Sequence, residues 1–286
     1  MSNEKGGLRW GVEQRLAFIE SRLFWEGGVN RADLVATFDV SVPQASKDLS
    51  LYQGQAPNNL RYDSARKRYV ATGAFEPLFF RLDANAYLRE RSETEGELTN
   101  EEFVSAEWLP VPTRRIDPEV LRLIVAAVRE RASIEINYQS MSPNRPEPFW
   151  RRVSPHSFAH DGMRWHVRAY CHRDERFLDF IASRCLGARD LGPQAMSRSD
   201  DAMWTGRFDV VLCPNPLLSD SQQKVVADDY GMTDGQVTIP VRRALLYYFN
   251  KRLRLDISDA VDRPSETPAV VKNRSAFHAA LAEAMR

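Results

Sequence analysis

Cysteine is scarce in this sequence, and long apolar runs are absent. The three cysteines, Cys171, Cys185 and Cys213, are odd in number and widely spaced among the 286 residues. This pattern is typical of reduced thiols in a cytosol and argues against a disulfide-stabilised scaffold. The longest aliphatic stretch, Leu123 to Val128, is far shorter than the roughly 20 residues that span a bilayer. Because the first residues also lack the apolar segment of a secretory signal, we expect a cytoplasmic protein with no membrane contact.

Neither sign of charge predominates. Lys and Arg together number 39, as do Asp and Glu, so the formal net charge is zero. A chain that binds nucleic acid through bulk charge carries a clear basic excess. Any nucleic-acid function must therefore depend on where the basic residues are placed.

The motifs of common catalytic and metal sites are also missing. The sequence contains no G-x-S-x-G, H-E-x-x-H, Walker A or G-x-G-x-x-G pattern. His156 and His160 are four residues apart, but the nearby proline and glycine disfavour the helix that would align them on a metal. Cys171 and His172 are adjacent, so on a strand they would point to opposite faces. We therefore expect no enzyme, no metal site and no cofactor.

The first 75 residues show the pattern of a winged helix-turn-helix. Apolar residues spaced by three and four predict a helix from Val12 to Leu23, which Gly27-Gly28 ends. A short helix is predicted to begin at Asn30. Ser41 to Gln44 is an S-x-x-Q capping box, with a proline in the first turn, that begins a third helix. Leu60 to Val70 is predicted to form two short strands around a polar tip, which would be the wing.

In a helix-turn-helix, the second helix of the pair enters the major groove, and its first residues contact base edges. The candidate DNA-binding residues lie at the start of the third helix or in the wing. They are Ser41, Gln44, Ala45, Ser46, Lys47 and Ser50 on the helix, and Arg61, Arg66, Lys67 and Arg68 in the wing. Glutamine can pair with adenine, and basic side chains can bind guanine or phosphate. A motif used only for protein contacts and a merely solvated hairpin tip remain the alternatives.

The rest of the chain divides into three regions. Residues 83–112 are rich in glutamate and end in prolines, which indicates a solvated helix and a linker, and a further helix is predicted over 117–131. From 132 to 186 the apolar period changes to two, and turn residues separate several short strands. This pattern predicts a small β-barrel of the SH3 or Sm type. Strands at Phe208–Leu212 and Gln236–Val241, with two helices, predict a small α+β domain after it.

One strand of the predicted barrel separates two faces. Trp165 and Val167 fall on the apolar face, where we expect Trp165 in the core, whereas His166, Arg168 and Tyr170 alternate with them. Arginine has a planar fork that suits phosphate, and an aromatic neighbour can stack on a base. The polar face could therefore hold a nucleotide or an oligonucleotide. The alternative is a solvent-facing strand with ordinary ion pairs.

Four motifs of this central region together resemble a WYL domain. They are Tyr138-x-Ser140-x-Ser142, Arg152-Val-Ser-Pro-His156, Gly162-x-Arg-Trp-His-Val-Arg168-Ala-Tyr170 and Phe177-x-Asp-Phe-x-x-x-Arg184. The tripeptide that names the family stands here as Trp-His-Val. The whole chain is similar to the winged-helix, WYL-domain repressors of the BrxR and CapW group, which are found beside bacterial phage-defence operons.

The resemblance implies an α+β multidomain protein with four regions. These are a winged helix-turn-helix over 1–80, a helical linker over 81–131, a WYL domain with an Sm-like barrel over 132–190 and a C-terminal dimerisation extension over 205–286. It also implies a homodimeric repressor that binds an inverted-repeat operator and that a nucleotide or nucleic-acid effector relieves. Carried onto this chain, the effector-binding positions would be Tyr138, Ser140, Ser142, Arg152, His156, His166, Arg168 and Arg184.

Two other functions stay open at this point. One is an enzyme that processes nucleotides or nucleic acid and uses the winged helix for targeting, although residues 132–190 lack the clustered carboxylates that such chemistry commonly needs. The other is an Sm-like RNA-binding adaptor, which would keep its RNA affinity without the N-terminal domain.

Overall fold

The computed structural model describes residues 9–93, 106–255 and 263–285. The chain divides into two units, Met1–Pro110 and Val111–Arg286. In the described ranges, no helix combines the length and the apolar character of a membrane span. The first residues, which lack a predicted signal segment, and most of the glutamates of the predicted solvated stretch lie outside the described residues.

The first unit begins with three helices, which are α1 (Trp10–Trp25), α2 (Arg31–Phe38) and α3 (Val42–Gln55). An antiparallel hairpin follows, formed by β1 (Leu60–Asp63) and β2 (Arg68–Ala71). A fourth helix, α4 (Ala84–Glu93), ends the first described stretch. This order of elements is the winged helix-turn-helix predicted from the sequence.

The helices bury the residues that their spacing selects. On α1, Leu16, Ile19 and Leu23 are at most 1% exposed, as one apolar helix face requires. The same core contains Leu34 of α2 and Ala45, Leu49 and Tyr52 of α3. Full burial of a large apolar side chain contributes roughly 1.5–3 kcal/mol. Packing of the three helices therefore stabilises this unit.

Local signals set the helix ends. Asn30 caps α2 in a reciprocal capping box, and Asp39, at φ 50°, ends it in the left-handed region. Ser41 caps α3 by accepting a hydrogen bond from the backbone N–H of Gln44 (3.3 Å). The capping box predicted there is only half formed, because the side chain of Gln44 does not accept a hydrogen bond from the backbone N–H of Ser41. Its amide donates instead to Asp48 (3.0 Å).

Besides its own two strands, the wing pairs with a third segment, which the sequence pattern did not indicate. Val29, in the loop after α1, exchanges two backbone hydrogen bonds of 2.8 Å with Tyr69 of β2. Gly28 permits this close approach, because a Cβ there would lie 2.5 Å from the carbonyl oxygen of Tyr69. The hairpin is therefore tied to the helical core at its base.

A buried carboxylate holds the segment that follows the wing. Glu20 of α1 has no exposed surface and accepts hydrogen bonds of 2.6 to 3.1 Å from the backbone N–H groups of Leu78, Phe79 and Phe80. It also accepts a hydrogen bond from the hydroxyl of Tyr52 (3.1 Å). These donors offset the cost of removing an anion from water. Glu20 thus joins α1 and α3 to the chain that leads to α4.

The second unit begins with α5 (Pro118–Glu130) and five strands. The strands are β3 (Ala132–Tyr138), β4 (Phe149–His160), β5 (Trp165–Cys171), β6 (Arg176–Ile181) and β7 (Cys185–Pro193). They form one antiparallel sheet in the order β6-β5-β4-β3-β7, and a single 3-10 turn joins its two outer strands. A bulge between Pro155 and Ser157 bends the long strand β4. This domain occupies the place of the predicted small barrel.

Helix α5 belongs to the central domain and not to a linker. Asp117 caps its first turn, and Val120, Ile124 and Ala127 form one buried face. These residues pack in the same core as Ile134 of β3. The predicted linker over 81–131 therefore ends before this helix, because the apolar face of α5 covers the sheet.

Strand β5 departs from the predicted alternation at its first residue. Val167, Ala169 and Cys171 are at most 2% exposed, as expected, but Trp165 is 49% exposed. The expectation that Trp165 lies in the core is therefore wrong. Its ring lies instead near that of His160, with centroids 4.8 Å apart, at the end of the β4–β5 hairpin.

Among its described residues, the second unit also contains a three-stranded antiparallel sheet and four further α-helices. The strands β8 (Arg207–Pro214), β9 (Val237–Arg242) and β10 (Ala269–Val271) are ordered β10-β8-β9. The helices are α6 (Ala202–Thr205), α7 (Asp220–Asp229), α8 (Leu246–Arg252) and α9 (Arg274–Ala284). The predicted α+β domain is confirmed, whereas β10 and α9 were not predicted.

Candidate nucleic-acid interface and effector face

The start of α3 presents an exposed polar stripe. Ser41, Lys47 and Ser50 are exposed, and the cap at Ser41 holds the first turn in place. Lys47 and Ser50 are three residues apart on one helix face, so both side chains can reach the same surface. These three predicted residues are accessible to a DNA duplex.

The other predicted residues of α3 are less available. Ala45 has no exposed surface and belongs to the helical core, so its assignment as a DNA-binding residue is corrected. The hydroxyl of Ser46 donates to the carbonyl oxygen of Val42 (3.0 Å). The amide of Gln44 donates to Asp48, which also accepts a hydrogen bond from Arg15 (2.7 Å). Asp48 therefore fixes the direction in which the amide of Gln44 points.

The tip of the wing carries exposed cations on a defined turn. Arg66 and Lys67 are exposed, and Arg61 is exposed on β1. Asp63 accepts hydrogen bonds from the N–H groups of Ala65 and Arg66 (3.0 and 3.1 Å), and the bond from Arg66 is the main cause of its lowered pKa. The carboxylate thus holds the turn that presents the basic side chains.

Arg68 differs from its neighbours in the wing. Its guanidinium donates to the carbonyl oxygen of Gly28 (2.7 Å), so it joins the wing to the loop after α1. This contact gives Arg68 a structural role, and its contact with DNA stays a prediction. Tyr62, which is 55% exposed and lies edge-on to Tyr69, is an accessible wing residue that charge-based reasoning did not select.

In the central domain, the polar face of β5 is covered by the chain itself. Arg168 is 7% exposed. It donates to both carboxylate oxygens of Asp201 (2.7 and 3.2 Å) and to Asp179 on β6 (3.3 Å). His156, in the β4 bulge, lies 3.2 Å from the same carboxylate of Asp201. Asp201 belongs to the segment before α6, which leads from the barrel into the C-terminal sheet.

A second carboxylate, that of Asp161, pairs with His166. Its Nε2 lies 2.8 Å from Asp161, which also accepts a hydrogen bond from Arg164 (2.9 Å). The ring of His166 lies 4.5 Å from the ring of Tyr248 on α8, and the hydroxyl of Tyr248 donates to Asp179 (3.2 Å). We call Arg168, His156, His166, Asp161, Asp179, Asp201 and Tyr248 the polar network.

The pKa values in the polar network follow from burial and pairing. Burial disfavours the charged form of Asp201, but hydrogen bonds from His156 and Arg168 outweigh it and lower the pKa of Asp201 to about 2. Hydrogen bonds likewise overcome burial and lower the pKa of Asp161. Burial also disfavours the charged form of Arg168, yet the paired carboxylates raise its pKa. At neutral pH, Asp161, Asp201 and Arg168 are therefore charged, whereas burial raises the pKa of Asp179.

The remaining predicted effector residues do not join the polar network. Tyr138 is in the barrel core, where its hydroxyl accepts a hydrogen bond from the N–H of Ile181 (3.2 Å). Ser140 and Ser142 lie in the loop after β3, and Arg184 lies in the 3-10 turn. Arg152 pairs with Glu135 (3.5 Å) and donates to Ser133 (3.1 Å). Of the predicted effector residues, His156, His166 and Arg168 belong to the polar network.

The carboxylates of this network were the main omission of the sequence analysis. Asp179 contacts Arg168 as an ordinary ion-pair partner (3.3 Å). Asp161 precedes a glycine turn, and Asp201 lies 33 residues from Arg168 along the chain, so neither shows in strand alternation. Within the described ranges, no group of three or more His, Cys, Asp or Glu side chains could hold a metal ion.

Comparisons with known proteins match every region of the chain. Residues 11–92 match the BrxR transcriptional regulator winged helix-turn-helix domain, residues 119–189 the WYL domain and residues 207–277 the BrxR C-terminal dimerization domain. The chain is 36% identical to the DNA-binding transcriptional repressor CapW of Escherichia coli (strain KTE188), covering 98% of this chain and 95% of that protein. It is 37% identical to CapW of Pseudomonas aeruginosa, covering 96% and 93%.

Among solved structures, the chain is similar to proteasome accessory factor B/C of Arthrobacter aurescens. That match has 14% identity and a TM-score of 0.29, and it covers 95% of this chain and 46% of the other.

Proposed function

The chain belongs to the CapW family of DNA-binding transcriptional repressors, and we propose that it represses transcription as a homodimer on an inverted-repeat operator. Its C-terminal region matches a dimerization domain, which supports a two-fold symmetric assembly. Two winged helices of such a dimer would bind half-sites about 34–36 Å apart, or a multiple of that spacing. The family name describes a regulator rather than an enzyme, and we infer that it acts in the cytoplasm, where the operator is.

The exposed start of α3 beside a basic wing carries this proposal. Lys47 and Ser50 are accessible on α3, and Arg66 and Lys67 are accessible at the wing tip, all within one described unit. In this assignment Lys47 contacts guanine or phosphate in the major groove, and the wing cations contact phosphates. Specificity then comes from α3, and most of the salt dependence comes from the wing.

A gel shift with the protein's own upstream promoter tests operator binding. At fixed physiological salt, we expect a discrete shift that a scrambled duplex does not remove. Lys47→Ala is expected to weaken binding by about five-fold or more, because a lost base contact costs about 1–3 kcal/mol. Arg122→Ala, which removes an exposed cation from α5, is the matched control and should leave binding unchanged. Displacement by the scrambled duplex, or no shift, would contradict the proposal.

We further propose that a nucleotide or nucleic-acid effector relieves repression by binding the central domain. In the described structure, Asp201 holds Arg168 and His156, where an anionic effector would bind. An effector at that face must therefore displace Asp201 and with it the segment that leads to the C-terminal sheet. A ligand that binds one dimer geometry better than another shifts the population between them. A phage-defence operon is the proposed target of this control.

Adding nucleotides and short oligonucleotides to a preformed operator complex tests the effector. We expect at least one of them to release the promoter fragment in a saturable way. If none releases it while operator binding stays intact, the effector proposal fails and the repressor proposal stands.

A further inference from the structure

The central domain has an open groove that none of the predicted effector residues lines. It consists of two neighbouring cavities of about 490 and 310 Å³. Both cavities are lined by Arg114 and by Gly162, Met163 and Arg164 of the β4–β5 turn. Helix α8 closes the larger cavity, and residues 111–116, which precede α5, close the smaller one. We call this surface the turn groove.

Each cavity of the turn groove has an exposed aromatic side chain of its own. Tyr247, which is 37% exposed, lines the larger cavity, and Trp165, which is 49% exposed, lines the smaller one. An exposed aromatic ring in a polar groove offers a face on which a nucleobase can stack, whatever its sequence. The groove therefore offers two separate stacking positions.

Basic side chains surround these positions. Arg114, Arg164, Lys251 and Arg252 line the groove, and Asp161 is the one carboxylate among its described lining residues. Asp161 is already paired with His166 and Arg164. Arg114 and Arg164 line both cavities, so they lie where a group linking two stacked bases would pass.

We infer that the turn groove binds a dinucleotide step of single-stranded nucleic acid. One base stacks on Tyr247, the next base stacks on Trp165, and Arg114 and Arg164 bind the phosphate between them. A mononucleotide would use only one of the two aromatic positions. A duplex would not bind in this way, because its bases are already stacked and paired.

The turn groove adjoins two elements that could carry a signal. Residues 111–116 line it and are the first part of the second unit, which the chain enters from the winged helix. Tyr248 and Asp161 also line it, and both belong to the polar network that ends at Asp201. The regulatory consequence of strand binding rests on the proposed function, whereas the binding itself does not.

Fluorescence anisotropy tests this site. A labelled single-stranded oligothymidylate of four nucleotides is titrated with the full-length protein at fixed salt. Wild-type protein is expected to bind the strand, and an equal concentration of thymidine monophosphate should not displace it. Trp165→Ala is expected to weaken binding about ten-fold, since stacking is worth roughly 1–3 kcal/mol per base, while Trp165→Phe should keep most of the affinity. Arg114→Ala should also make the slope of log binding constant against log salt concentration shallower by about 0.7.

Matched controls lie on the same unit. Trp150→Ala removes an exposed tryptophan from β4, and Arg122→Ala removes an exposed arginine from α5, so both should leave strand binding unchanged. No binding by the wild-type chain, or equal binding by the groove variants and the controls, would overturn the site. Displacement by the monophosphate at equal concentration would overturn the dinucleotide assignment. Operator binding is measured in parallel with the same proteins. Loss of the promoter shift alone would count against the repressor proposal, whereas loss of strand binding alone would count against the turn groove.

Discussion

Replacing Arg168 by alanine tests whether the polar network stabilises the central domain. The guanidinium makes three hydrogen bonds of 2.7 to 3.3 Å to Asp201 and Asp179, and the residue is 7% exposed. Its loss leaves two carboxylates without their counter-charge, and breaking a buried pair in this way costs about 3–5 kcal/mol. In a domain of 150–250 residues, each kcal/mol lowers the melting temperature by about 2–4 °C. We therefore expect a fall of roughly 6–20 °C.

Differential scanning calorimetry of the full chain measures this effect. Arg122→Ala is the matched control, because its exposed ion pair is worth less than about 1 kcal/mol. The double variant Arg168→Ala, Asp201→Asn should be less destabilised than the sum of the two single variants, since each single variant disrupts the same buried pair. A melting temperature for Arg168→Ala within about 2 °C of wild type, or strict additivity in the double variant, would refute the reasoning.

Three further predictions concern Glu20, Gly28 and the pH dependence of Asp201. Glu20→Gln should lower the free energy of unfolding of the winged helix by about 2–4 kcal/mol in urea titrations, because a neutral amide cannot accept hydrogen bonds from all four donors. An unchanged midpoint would contradict this. Gly28→Ala should lower the free energy of unfolding by about 1–3 kcal/mol and weaken operator binding, because the added Cβ would meet the carbonyl oxygen of Tyr69. Gly54→Ala is the control and should not destabilise the protein, because the space around Gly54 is open. The pKa of Asp201 is lowered to about 2 in the folded protein, so its ionised form should add stability that is complete above about pH 4 and lost toward pH 2. In acid titrations, the free energy of unfolding of Asp201→Asn should therefore fall less steeply between about pH 4 and pH 2 than that of wild type.

The buried position of the polar network changes how variants of its residues must be interpreted. Loss of effector response in an Arg168 variant has two explanations, since the same guanidinium holds Asp201 and stabilises the fold. Trp165 and Arg114 line the turn groove from exposed positions. Substituting them should therefore change ligand binding with little effect on the stability of the fold. Variants of these two residues are therefore the better first test of ligand binding.

Periodicity and capping signals predicted the winged helix closely. Leu16, Ile19 and Leu23 are buried as their spacing requires, and Ser41 caps α3 where the motif places it. These features are local, because helix faces and caps depend on residues within one or two turns of each other. The basic wing tip was predictable for the same reason, since a hairpin exposes the residues of its turn.

Contacts between distant parts of the chain decided the rest. Strand alternation placed His166 and Arg168 on a polar face, but it carried no information about what covers that face. Asp201 and Tyr248 reach it from segments far along the chain, and Gly28 admits Val29 beside the wing only because the hairpin folds back. Local pattern therefore determined the helices of the winged helix and their buried faces. Tertiary packing determined which polar side chains are free to bind a ligand, because a buried charge takes the partner that folding brings to it.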